Sequence, residues 1–171
     1  MNKFSRLAVL VITILISVGF DQITKLAAQN TLRGHASISL FDNIFHLVYA
    51  ENAGSMLGVG STLPDNMRFV LFVLFVGIVL IAAVVFVLVK PLRNVTVLAI
   101  SLIVGGGIGN LVDRLIRDGS VIDFMLIKIG TLETGIFNVA DIAITLGVCM
   151  MCILLIRLKG KKDSHTPSSR L

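Results

Sequence analysis

Polar residues are so sparse over long stretches of this chain that the few interrupting them define its organisation. Residues 69–89, FVLFVLFVGIVLIAAVVFVLV, hold 21 uncharged positions in succession, enough for one helix to cross a hydrocarbon layer of ~30 Å. Residues 95–112 form a second, shorter run and 136–156 a third. Near the N-terminus the apolar stretch 7–20 is too short to cross alone. The spacing there predicts a helix over about 4–28, with Asp21 and Lys25 inside it. Between the first two spans, ISLFDNIFHLVYA (38–50) is rich in β-branched and aromatic residues, as is SVIDFMLIKI (120–129) after the third; both predict short strands. ENAGSMLGVG (51–60) is a glycine-rich loop, and KPLRN (90–94) ends the second span. The pattern predicts an all-α integral membrane protein. Four transmembrane helices, a single membrane domain over 1–160, carry a small extracytoplasmic β-platform built from 29–66 and 113–135, and a polar cytoplasmic tail covers 161–171.

Composition agrees: 56% of the residues are hydrophobic and the mean hydropathy is +0.95. The net charge of +5 reads as topology, not as a nucleic-acid surface. With the N-terminus inside, Lys3, Arg6, Lys90, Arg93, Arg157, Lys159, Lys161, Lys162 and Arg170 all fall on the cytoplasmic side, against the single acid Asp163. That asymmetry puts both termini in the cytoplasm. Lys3 and Arg6 ahead of an apolar run resemble a signal peptide, but no small-residue cleavage site follows promptly and three more spans do, so an anchor is expected. Cys149 and Cys152, three apart on one helix, are read as packing residues, and His35, His46 and His165 are scattered.

Topology brings the acids together. Asp21 lies near the outer end of the first helix, and Asp113 ends the third. Asp141 sits ~7 Å below the start of the fourth at 1.5 Å per residue, and Asp123 lies in the outer segment between them. Asp21 has Lys25 at i+4, a ready ion pair. Asp113 is followed by Arg114 and Arg117, and Asp118 has Arg114 four positions before it. Asp123 and Asp141 have no basic residue within four positions, and their neighbours are apolar. Burial favours the neutral form of such a carboxyl, and a second carboxylate nearby favours it further. Two carboxyls sharing one proton do aspartic-protease chemistry, one taking a proton from water while the other protonates the carbonyl oxygen. Asn138 precedes Asp141 by one turn, and Asn110 shares a face with Asp113 and Arg114. An asparagine in a span must hydrogen-bond either a neighbouring backbone or the site itself. Asn52 and Gly54 are placed to line the site from the outer loop. Arg114 either holds a substrate carbonyl or phosphate, or neutralises Asp113. Ser101, Gly105 and Gly109, with Gly106 and Gly107 between, mark a close helix approach.

These residues resemble a known family. GGGIGNLVDR (105–114), VIDF (121–124) and FNVAD (137–141), with ENAGSMLG (51–58) and DQITK (21–25), resemble the lipoprotein signal peptidases over nearly the whole chain. The resemblance implies a multi-pass aspartic endopeptidase of the bacterial cytoplasmic (inner) membrane, its active site near the outer face. It implies removal of the signal peptide from diacylglyceryl-modified prolipoproteins on the amino side of the lipidated cysteine. Asp123 and Asp141 are implied as the catalytic pair, the two acids already singled out. Asn52, Gly54, Asn110, Arg114 and Asn138 match positions around them, and Asp21 and Lys25 a structural ion pair. No metal or cofactor is implied. Expected partners are prolipoprotein substrates, membrane lipid and cyclic peptide inhibitors such as globomycin; no nucleic acid is expected, and the working unit is a monomer. The chain departs from the usual pattern at Gly107, where alanine is usual, and at Leu57, where an aromatic is usual. The first should alter packing little, and the second bears on how the outer loop covers a lipid-modified substrate.

Other chemistries fit less well. No G-x-S-x-G elbow and no H-E-x-x-H motif occurs. Gly107, Ile108 and Gly109 are followed by Asn110, so the G-x-G-D of another intramembrane aspartic class lacks its acid. The alternative from a different class is a proton-coupled small four-helix membrane exporter. It would also bury a carboxylate, but near the bilayer midplane, whereas here the acids gather toward one face.

Overall fold

A computed structural model describes residues 2–54 and 59–163, the last six by backbone alone; Leu57 and most of the tail lie outside them. Four helices are long and apolar enough to cross a membrane: α1 (Lys3–Leu32), α2 (Asp65–Val89), α3 (Asn94–Ile116) and α4 (Val139–Asp163). They depart from the predicted spans mainly at their ends. α1 runs on from residue 28 to Leu32 because its C-terminal end packs on protein, where Ala28 and Leu32 bury against Ile122 and Phe124. α2 starts at Asp65, four residues early, with Asp65 in its first turn paired to Arg68. α3 continues past residue 112 because the charge of Asp113 is met inside the bundle. α4 starts at Val139, not 136, because Asn138 is its cap. The Asn138 Oδ1 accepts from Asp141 N–H at 2.9 Å, and the Asp141 Oδ2 accepts in return from Asn138 N–H at 3.1 Å, a reciprocal capping box. At its other end α4 reaches Asp163, so the predicted tail begins inside its last turn.

The bundle is turned inside out relative to a soluble protein. Large apolar side chains such as Leu15, Phe75, Ile81 and Ile153 are more than half exposed, while Asp21, Asp113 and Asn138 are fully buried and Lys25 nearly so. Lipid solvates the first group at no cost, whereas polar groups must find partners inside. Leu10, Leu80, Val87, Val97, Ile100 and Val104 form the apolar core between α1, α2 and α3. The glycine run in α3 permits close contact on two sides. A Cβ on Gly106 would lie 2.3 Å from the Ala140 carbonyl oxygen of α4, and one on Gly109 would lie 2.6 Å from the Asp21 Oδ2 of α1.

Four antiparallel strands, β1 (Ile38–Leu40), β2 (Phe45–Asn52), β3 (Val121–Ile129) and β4 (Leu132–Glu133), lie in that order in one sheet. Leu47 pairs with Met125 but Ala50 with Asp123, so β2 holds one extra residue between the two pairs. Because side chains alternate faces, that bulge decides which residues of β2 share a face with Asp123. With it, Asn52 lies on the Asp123 face; without it, Asn52 would point away.

Candidate active site

Asp123 and Asp141 reach the site from different kinds of structure. Asp123 stands in the buried first half of β3 and is 3% exposed. Asp141 is half-buried in the first turn of α4, where its Oδ2 accepts from Asn138 N–H and its Oδ1 from the Asn110 amide. One residue ties them together. Asn138 donates from Nδ2 to the Asp123 Oδ1 at 2.6 Å, while its backbone N–H and its Oδ1 hold Asp141 in the capping box. Burial pushes the Asp123 carboxyl up to about 6, and the charge of Asp141 adds to this against the opposing amides of Asn52 and Asn138 and the charge of Lys25.

Three asparagine amides face the two carboxyls, and each is oriented by a donor that cannot turn round. Asn52 accepts at Oδ1 from Gly54 N–H (2.9 Å) and so presents Nδ2 to the Asp123 Oδ2 (3.0 Å). Asn138 accepts at Oδ1 from Asp141 N–H and so presents Nδ2 to Asp123. Asn110 accepts at Oδ1 from the Lys25 ammonium (3.0 Å) and so presents Nδ2 to the Asp141 Oδ1 (2.9 Å). A backbone N–H and an ammonium only donate, so the amide direction in all three cases is fixed by chemistry.

Behind the pair lies a buried ionic group. The Lys25 Nζ is 2.8 Å from the Asp21 Oδ2 and 3.0 Å from the Asp113 Oδ2. Both acids also hold backbone: the Asp21 Oδ1 accepts from Ala140 N–H at 2.9 Å, and the Asp113 Oδ2 from Ile122 N–H at 3.0 Å. Gln22 spans them, its Nε2 donating to the Asp21 Oδ2, the Gly109 carbonyl and the Asp113 Oδ1 at 3.1–3.2 Å.

Arg114 closes the other side. Its Nη2 donates to the Gly54 carbonyl at 2.8 Å, and its guanidinium lies 5.3 Å from the centre of the Phe72 ring. Phe72 is carried by a π-helical stretch of α2, Val70–Phe75, a distortion found often at functional sites. Arg114 therefore does not pair with Asp113, one of the two roles open to it from the sequence, or with Asp118; Asp113 takes Lys25, and its second cation is Arg117, four residues on, at 3.6 Å. Beside Asp123 opens a cavity of about 410 Å³, lined also by Ala50, Glu51, Asn52, Glu133, Thr134, Gly135 and Ile136. Among the described residues, no three His, Cys, Asp or Glu side chains group as a metal site.

All nine residues singled out from the sequence lie in one connected set, from Arg114 and Gly54 through Asn52, Asp123, Asn138, Asp141 and Asn110 to Lys25 and Asp21. Sequence reasoning missed Gln22 and the backbone role of Asp113. A glutamine between Asp21 and Lys25 in a membrane span was the available signal, since such a side chain needs a buried partner.

Known proteins resemble this chain in sequence and in fold. The profile of the signal peptidase (SPase) II family matches residues 13–157, a stretch that contains the whole set. The chain is 31% identical over 154 residues to the lipoprotein signal peptidase of Clostridioides difficile (strain 630), covering 88% of this chain and 97% of that protein. It is 36% identical over 166 residues to that of Pelodictyon phaeoclathratiforme (strain DSM 5477 / BU-1), covering 90% and 89%. A bacterial membrane enzyme structure obtained by the in meso method at 2.3 Å resolution matches with a TM-score of 0.74 and 28% identity, over 95% of this chain and 93% of that one. A second such structure, at 1.9 Å, matches with a TM-score of 0.73 and 31% identity, over 85% and 91%.

Proposed function

The chain belongs to the signal peptidase II family, and from that premise we propose that it is an aspartic endopeptidase with Asp123 and Asp141 as its catalytic pair. Its substrates in this reading are diacylglyceryl-modified prolipoproteins, cut on the amino side of the lipidated cysteine. The observation that carries the reading is Asn138, which donates to one carboxyl and caps the turn that bears the other. Two acids from separate elements are thereby held as one unit.

The environments suggest how the proton is divided. Asp123, buried and raised to about 6, is suited to hold it, and Asp141, at a helix N-terminus with two N–H donors, is suited to receive one. A water between them gives a proton to Asp141 as its oxygen attacks the scissile carbonyl carbon, and Asp123 protonates the carbonyl oxygen. Collapse of the tetrahedral intermediate returns that proton to Asp123, while Asp141 passes its own to the departing cysteine nitrogen. One water is consumed and the pair is reset.

In this reading both termini are cytoplasmic and the site lies near the outer face, so the diacylglyceryl chains stay in the bilayer while the peptide bond sits at headgroup depth. The cavity beside Asp123 receives the peptide, and cyclic peptides such as globomycin compete for it. The protein works as a monomer, since one chain supplies the whole set.

The test is cleavage of a diacylglyceryl-modified prolipoprotein by the purified protein in detergent, with and without EDTA, beside Asp123→Asn and Asp141→Asn. Cleavage that ignores EDTA and is lost in both variants supports a metal-free aspartic peptidase. A folded wild-type protein that cleaves nothing would turn attention to the proton-coupled exporter.

A further inference from the structure

We propose that Lys25 is a positioning residue for the catalytic pair, its ammonium setting, through Asn110, Asp21 and Asp113, the groups that hold Asp141 and Asp123. The proposal rests on the reading of those two aspartates as catalytic.

The geometry is two-fold. Asp21, bonded to Lys25, holds the N–H of Ala140, the residue before Asp141. Asp113, bonded to Lys25, holds the N–H of Ile122, the residue before Asp123. The backbone N–H of the residue before each catalytic acid is thus tied to the same ammonium through one carboxylate. The third contact of Lys25 is the Asn110 Oδ1. Charge balance between a lysine and two acids does not require it, yet it decides which end of the Asn110 amide meets Asp141. The Asn110 Oδ1 also accepts from the Asn138 Nδ2 at 3.1 Å, but that group has two hydrogens for three acceptors, the others being Asp123 and the Ile122 carbonyl. Without the ammonium the orientation of Asn110 hangs on a shared hydrogen. Once flipped, it would point an oxygen at the Asp141 carboxylate.

Lys25 also acts through charge. The charged groups around Asp123 are Asp141 of α4, Lys25 of α1, Asp113 and Arg114 of α3 and, across the cavity, Glu51 of β2 and Glu133 of β4. Lys25 pulls the Asp123 carboxyl down against burial and Asp141, so its loss lets Asp123 keep its proton to higher pH.

The experiment measures kcat and KM against pH for a diacylglyceryl-modified prolipoprotein, per folded molecule. It compares the wild type, Lys25→Met and the double variant Asp21→Asn/Lys25→Met, with Asp123→Asn as control. The double variant removes one buried carboxylate together with the ammonium and leaves an acceptor for Ala140 N–H. Positioning predicts a kcat about 100-fold lower, an unchanged KM and a descending limb moved to higher pH. If Lys25 only balances charge, the double variant recovers the wild-type kcat and limb, and the proposal is overturned. Lys25→Arg covers the case in which both methionine variants unfold: it keeps the charge but changes the donor geometry, and a wild-type kcat there overturns the proposal too. Cleavage by Asp123→Asn would instead overturn the catalytic reading, and this inference with it.

Discussion

Two pairs of aspartates share one end of the bundle, and they are held in opposite ways. Asp21 and Asp113 touch an ammonium at 2.8 and 3.0 Å. Asp123 and Asp141 touch the amides of Asn52, Asn138 and Asn110 and one backbone N–H. An ammonium supplies a full counter-charge. Amides supply only partial charges, and burial pushes the Asp123 carboxyl up toward its neutral form. In the proposed reading, the same side chain becomes structural or chemical according to whether a cation bonds it directly. Asn110 accepts from Lys25 and donates to Asp141, and so marks the boundary between the two.

Removing a member of each pair should break different properties. Asp123→Asn and Asp141→Asn are expected to lower cleavage by roughly 10³–10⁴-fold or more while the protein stays folded in detergent. Full activity in either variant would falsify the dyad. Asp21→Asn is expected to do the reverse, costing about 3 kcal/mol of stability, the low end for a broken buried pair because Asp113 still faces Lys25. Thermal unfolding checks the loss, and cleavage per folded molecule should stay within about tenfold of wild type. A stable but inactive Asp21→Asn would erase the distinction between the pairs.

The proton itself sharpens the comparison. The Asp123 carboxyl is raised from 3.8 to about 6 by burial, so the native state binds this proton more tightly than the unfolded chain does. The stabilisation is fully present below the unfolded value and is lost as pH rises through about 6. It amounts to about 3 kcal/mol at most, before screening and relaxation reduce it. Asparagine at 123 cannot titrate, so the stability gap between the wild type and Asp123→Asn should change between acid and neutral pH. The descending limb of kcat/KM should set in near the same value and fall about tenfold per unit. A gap that ignores pH over that interval would mean that Asp123 does not carry the proton.

Much of this was legible in the sequence, and the reasons differ by residue. Asp123 and Asp141 stood out because no cation lies near them along the chain, and local spacing suffices to see an absence of that kind. Asp21 and Lys25 form the pair their i, i+4 spacing predicts. Spacing could not decide Arg114, which turns to Gly54 and Phe72 and leaves Asp113 to a lysine from another helix; contacts across 88 residues of chain leave no periodic trace. The four helices were visible from hydropathy, but their ends were not, because α1 and α3 stop where protein, not lipid, stops covering them. The bulge that turns Asn52 toward Asp123 has no signature in the residues around it that we can name.

The smallest expected effect comes from two glycines two residues apart on α3. A Cβ on Gly109 would lie 2.6 Å from the Asp21 Oδ2 and 3.4 Å from the Ala140 Cβ, in the structural layer itself. One on Gly107 would lie 2.6 Å from the Leu80 Cδ2, the tip of a flexible side chain. Gly109→Ala is therefore expected to cost about 1–3 kcal/mol through overpacking and to loosen the bond between Asp21 and Ala140 N–H. Gly107→Ala, the residue usual at this position in the family resembled, is expected to cost less than about 1 kcal/mol, since the atoms met are the end of the Leu80 side chain, which can shift by a few tenths of an ångström, and not a carboxylate fixed by an ion pair. Unfolding temperatures of the two variants, measured side by side, decide the point. An equal loss at both positions would mean that the close approach serves the whole helix interface, and that the Asp21 layer has no special claim on Gly109.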